Sequence, residues 1–171
     1  MKILLAGLLL STLAAQAGAT PSSAIVDTCL RPQSTSPKVH YTSITVDTFN
    51  LIEDDEAGKT EITLQYGADT IGIWDIKKPK AFGLIFNGKE TPLASIIALD
   101  KRTPPTSFNP YEAMWGEVHQ GNKSYICATF NFDGLGKSGS FQSVRGLYLI
   151  ERQPLTGATF YMTSNITVSE N

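Results

Sequence analysis

Apolar positions recur at every second residue along most of this chain, the period of a half-buried β-strand. The clearest run is Ser124 to Phe132. Ile126, Ala128, Phe130 and Phe132 share one face, and Tyr125, Cys127, Thr129 and Asn131 the other. Glu61 to Tyr66 alternates the same way through Ile62, Leu64 and Tyr66. Val39–Val46, Thr70–Ile76, Ala81–Phe86, Leu93–Leu99, Ala113–His119, Phe141–Glu151 and Thr159–Val168 read as further strands. Asn87-Gly88 is a type I′ hairpin signal, so Leu93–Leu99 is expected to pair back on Ala81–Phe86, with Pro92 just before it. The acidic run Glu53-Asp54-Asp55-Glu56, Gln120-Gly121-Asn122-Lys123 and the glycine-rich Asp133–Gly139 read as turns. A long loop from Leu99 to Tyr111 carries Pro104, Pro105 and Pro110. No window of 11 or more residues shows a helical apolar stripe. The pattern predicts an all-β fold: a single antiparallel β-barrel of about eight strands, with a β-sandwich as the alternative.

The first residues follow another logic. Lys2 precedes an almost wholly apolar run, Ile3 to Leu13, and the small-x-small sites Ala15-Gln16-Ala17 and Ala17-Gly18-Ala19 follow. That is a cleavable secretory signal, too short to span a bilayer. Residues 1–17 are therefore read as a signal peptide. Residues 18–37, rich in Ser, Thr, Ala and Pro, are read as an extended leader, and 38–171 as the β-barrel domain. The expected location is secreted or periplasmic, and no later stretch is apolar enough for a membrane span.

Composition agrees with a folded exported domain. The chain is 42% hydrophobic and 18% charged, with a net charge of −2. It has no basic excess to attract nucleic acid or an anionic membrane. Cys29 and Cys127 are the sole cysteines. In an oxidising compartment they are expected to form one disulfide, worth roughly 4–5 kcal/mol on the chain-entropy model.

Signatures of catalysis and metal binding are faint. The run Glu53–Glu56 offers oxygen ligands but lacks the spacing of an EF-hand loop, and a solvated turn is the simpler reading. Gly136-Lys137-Ser138 lacks the upstream glycine of a phosphate-binding loop, since Asn131 stands in that place. There is no Gly-x-Ser-x-Gly elbow. His40 and His119, the two histidines, would need carboxylates to complete a zinc site and are read as strand-surface residues. No cofactor, metal or catalytic residue is assigned, and the reading leans away from an enzyme.

The face of Tyr125, Thr129 and Asn131 mixes polar and apolar groups. In a barrel an inward face of this kind marks a ligand cavity; in a sandwich it faces solvent. Downstream, Gly136-Lys137-Ser138-Gly139-Ser140-Phe141-Gln142-Ser143-Val144-Arg145-Gly146-Leu147-Tyr148 is a glycine-rich turn, a phenylalanine, an arginine-glycine pair and an aromatic strand. The turn Gln153–Gly157 and a closing strand to Val168 follow. This stretch resembles the dirigent and allene oxide cyclase-like β-barrels. The resemblance implies a small apolar molecule held inside the barrel, with Arg145 as the matching pocket residue.

Two orientations of the Arg145 strand are open. Either Arg145, Leu147 and Leu149 point inward, or Val144, Tyr148 and Ile150 fill the core while Arg145 and Glu151 meet water. The expected function is an exported binding module whose tentative ligand residues are Tyr125, Thr129, Asn131 and Arg145. Its partner would be a small apolar or aromatic molecule. The alternative is loop-mediated protein or glycan binding, marked by a filled interior and exposed aromatics on the Asp100–Trp115 loop.

Overall fold

A computed structural model describes residues 20–46, 48–100, 110–131, 144–153 and 157–167. The expected signal peptide and the Gly136–Gly139 turn lie outside the described residues.

The strands form two sheets, neither closed into a barrel. One sheet runs β2 (Phe49–Asp54), β3 (Lys59–Tyr66), β4 (Asp69–Ile76), β5 (Ala81–Phe86) and β6 (Lys89–Pro92), an antiparallel meander in chain order. The other is ordered β1 (His40–Ser43), β8 (Met114–Gln120), β9 (Lys123–Asn131), β10 (Val144–Gln153), β11 (Gly157–Thr167) and β7 (Ile97–Ala98). Among the described strands its one parallel pairing joins β7 to β11. The expected all-β class is present, as two antiparallel-rich sheets.

One apolar core fills the space between the sheets. Leu64, Ile71, Ile73, Leu84 and Phe86 come from the first sheet. Ile126, Ala128, Phe130, Tyr148, Ile150 and Phe160 come from the second. The Phe82 and Tyr148 rings meet across the gap at 6.3 Å, and Tyr148 stacks on Phe130 at 5.4 Å. Alternation grouped Ile126, Ala128 and Phe130 on one face of β9, and this face, not that of Tyr125 and Thr129, is the one turned to the core between the sheets. The Asn87-Gly88 turn is also as expected, with φ of 50° and 75°. Its return strand is Lys89–Pro92 and not Leu93–Leu99, which contains a short 3-10 turn and β7. A two-residue hairpin leaves no slack, so pairing resumes directly after Gly88.

The main departure lies in the leader. Residues expected to be extended include a helix, α1 (Ser23–Leu30). Ser22 caps its N-terminus by accepting a hydrogen bond from the Ile25 amide. Ile25, Thr28, Cys29 and Leu30 are buried, and α1 lies across the outer face of the second sheet. A second core forms there from Ile25, Leu30, Val39, Val118, Tyr125, Leu147, Leu149 and Tyr161. Cys29 is disulfide-bonded to Cys127 of β9 across a 98-residue separation, with Cα atoms 5.8 Å apart. The protein therefore has three layers: helix, sheet, sheet.

Candidate functional site

The face expected to bind a ligand is occupied by the protein's own helix. Thr129 Oγ1 donates to the Cys29 carbonyl at 2.8 Å, and Arg145 Nη1 donates to the Leu30 carbonyl at 2.5 Å. The last carbonyls of a helix have no partner within it, and α1 has no basic residue in its last turn. The sheet supplies both missing donors, and the positive charge sits at the negative end of the helix dipole. Tyr125 is fully buried in the same layer. Its hydroxyl and that of Tyr161 donate to Glu151, at 3.4 and 2.9 Å. Lys123 Nζ lies 2.9 Å from the same carboxylate. Burial first, then Glu151, raise both tyrosine hydroxyls above their usual pKa of 10.0, Tyr161 strongly and Tyr125 less, where Lys123 opposes the rise. Asn131 pairs with Arg145 in register, but its side chain is outside the described residues.

Tyr125 and Thr129 share one face, as alternation grouped them, and Arg145, whose orientation the sequence left open, lies on that face too. Of the two orientations of the Arg145 strand, Tyr148 and Ile150 do fill the core between the sheets. Arg145 and Glu151 lie on the opposite face, where α1 and the tyrosines cover them instead of water. The missed signal was short: Pro21-Ser22 as a helix start, with Ile25 and Cys29 four residues apart.

A polar cluster joins the two sheets at one end. Glu117 accepts from Tyr66 Oη at 2.6 Å and from Ser124 Oγ at 2.8 Å, and pairs with Arg152 Nη1. Arg152 Nε stands 2.7 Å from Asp69, and its guanidinium lies 5.4 Å over the Tyr66 ring. Burial pushes the Glu117 carboxyl up. The hydrogen bonds from Tyr66 and Ser124 and the nearby cations outweigh it, holding the pKa below 4.5. These partners come from both sheets, so the cluster acts as a latch.

The seam between the two sheet edges, β1 and β2, exposes aromatic groups. A groove of about 360 Å³ opens there, lined by Tyr41, Ser43, Phe49, Tyr111, Met114 and Trp115. Phe49 and Tyr111 meet at 4.4 Å with their rings tilted by 56°. Trp115 Nε1 donates to the Pro110 carbonyl at 3.0 Å, fixing the end of the long loop against the groove. Tyr111 is 52% exposed, and beside the groove Leu51 and Ile52 of edge strand β2 are 54% and 56% exposed. The opposite seam has a groove of about 350 Å³. Its edge, β6, carries Lys89, Glu90 and Pro92, residues that blunt a sheet edge.

Among the described residues, no group of three or more His, Cys, Asp or Glu is placed to hold a metal ion, and no helix is long and apolar enough to cross a membrane. Comparison with protein-family models, curated proteins and solved structures finds no match to this chain.

Proposed function

We propose that this chain is an exported binding module that docks a segment of a partner protein in the groove between β1 and β2. Export rests on the pattern of Met1 to Ala17 and on a disulfide suited to an oxidising compartment. The observation that carries the reading is edge strand β2, which among the described residues pairs on one side only and exposes Leu51 on one face and Ile52 on the other, with Tyr111 against its Phe49. Soluble proteins normally guard such edges, and an extended peptide is the partner that completes one. The interior between the described strands is packed with Phe130, Tyr148 and Phe160, which favours the surface over the interior as the binding place.

The chemistry of β2 defines the partner. Main-chain hydrogen bonds run along Phe49–Ile52, and an apolar side chain seats between Phe49, Tyr111 and Met114. Glu53 to Glu56 at the far end attract lysine or arginine. Selection of a random peptide library on the mature chain tests this. Peptides with apolar residues at alternate positions and a basic end should be enriched, and Tyr111→Ala and Ile52→Lys should each lose them. Enrichment that both variants retain contradicts the site. Binding of small aromatic molecules alone contradicts the partner class.

A further inference from the structure

The two histidines, 79 positions apart by their numbers, 40 and 119, are brought opposite one another by the fold. Edge strand β1 pairs with β8 antiparallel, in the register His40↔His119, Thr42↔Glu117. The Ile44 amide donates to the Trp115 carbonyl at 2.9 Å. Ile44 and Trp115 therefore form a hydrogen-bonded pair. Two pairs further along the ladder, in the same phase, stand His40 and His119. Residues so paired have Cα atoms about 5.5 Å apart, and their side chains leave the same face of the sheet. Both imidazoles are exposed.

The neighbouring carboxylate orients one of them. His119 Nε2 lies 3.3 Å from Glu117 Oε1. That oxygen already accepts from Ser124 and pairs with Arg152, so it acts as an anchor rather than as a metal ligand. An Nε2–H directed at Glu117 leaves the Nδ1 lone pair of His119 available. This is the carboxylate–histidine arrangement that commonly supports a metal-bound imidazole.

We propose that His40 and His119 form a surface site for a borderline transition-metal dication, Zn²⁺ or Cu²⁺, with water completing the coordination. Cross-strand imidazoles on one face at a hydrogen-bonded position stand close enough for His40 to turn toward the Nδ1 of His119, and metal bonds there would be about 2.0–2.1 Å. The bound ion ties the edge strand β1 to β8. It binds the folded ladder and not the unfolded chain, so it also stabilises the fold. The site is independent of the groove reading and would stand if no partner segment bound there.

Calorimetric titration of the untagged mature chain with Zn²⁺ alone, and separately with Cu²⁺ alone, tests the proposal. One ion per chain is expected. His40→Ala and His119→Ala should each weaken binding by about tenfold or more. His40 is exposed and lies outside the Glu117 cluster, so metal-free His40→Ala should keep the wild-type thermal midpoint. The rise in midpoint on adding metal should appear in the wild type and vanish in both variants. In ¹⁵N spectra of the imidazoles, the metal should shift Nδ1 of His119. Absence of one-to-one binding, or wild-type affinity in His40→Ala, overturns the proposal.

Discussion

Arg145 on β10 donates to the carbonyl of Leu30, the last residue of α1, at 2.5 Å. Together with Thr129 and the Cys29–Cys127 bond, it makes the polar face of the second sheet a seat for the N-terminal helix. Removing these donors should loosen that seat. Arg145→Met should lower stability by about 1.5–3 kcal/mol, the range for a charged hydrogen bond. Thr129→Val, close in shape, should cost about 1 kcal/mol. Urea denaturation of both variants measures the effect, and equal midpoints for variant and wild type would count against the seat.

The disulfide holds the same helix. Titration of the unfolded, unreduced mature chain should find no free thiol. Replacing both cysteines with serine should lower stability by several kcal/mol, up to about 4–5 on the chain-entropy model for a loop of this length. Two thiols per chain would contradict the bond.

Gly146 is required by packing. A Cβ there would stand 2.6 Å from Cε2 and 2.7 Å from Cζ of Phe130, a core ring stacked on Tyr148. The β10–β11 register also shifts between Arg145 and Leu147. Gly146→Val should destabilise by about 1–3 kcal/mol, as overpacked core sites do. An unchanged thermal midpoint would show that Phe130 yields freely.

Glu117 should make stability depend on acid. Its folded pKa lies below the usual 4.5, so the carboxylate contributes stability above pH 4.5. That contribution is lost as pH falls through the lowered value. Denaturation curves from pH 7 to pH 3 should show the wild type losing stability over the acid limb. Glu117→Gln should be weaker at neutral pH and flatter below about 4.5. Parallel curves would remove Glu117 from the latch.

The strands were legible where one face is buried between the sheets. Ile126, Ala128 and Phe130 in β9, and Ile62 and Leu64 in β3, advertise that face by alternation. β2 was not legible as a strand, because the alternation of Phe49-Asn50-Leu51 breaks at Ile52 and its Leu51 and Ile52 face solvent. The eight-residue α1 is shorter than any window that reveals helical periodicity, and its leader composition reads as extended. With the helix unseen, Thr129 and Arg145 looked like groups awaiting a ligand. Their partners are two backbone carbonyls, which no residue type announces. The groove was visible only as aromatic composition near Tyr111, since joining it to Phe49 and Tyr41 requires both sheets to be assembled.

Amide hydrogen exchange of α1 tests the helix seat most directly. In the mature wild-type chain, the amide of Arg31, bonded to the Asp27 carbonyl, and the amides of Ile25 and Val26, bonded to Ser22, should be strongly protected. Arg145→Met should raise their exchange far more than that of β3 and β4 amides. Exchange of the α1 amides at unstructured rates in the wild type, or protection unaltered by Arg145→Met, would contradict the helix as the occupant of the polar face.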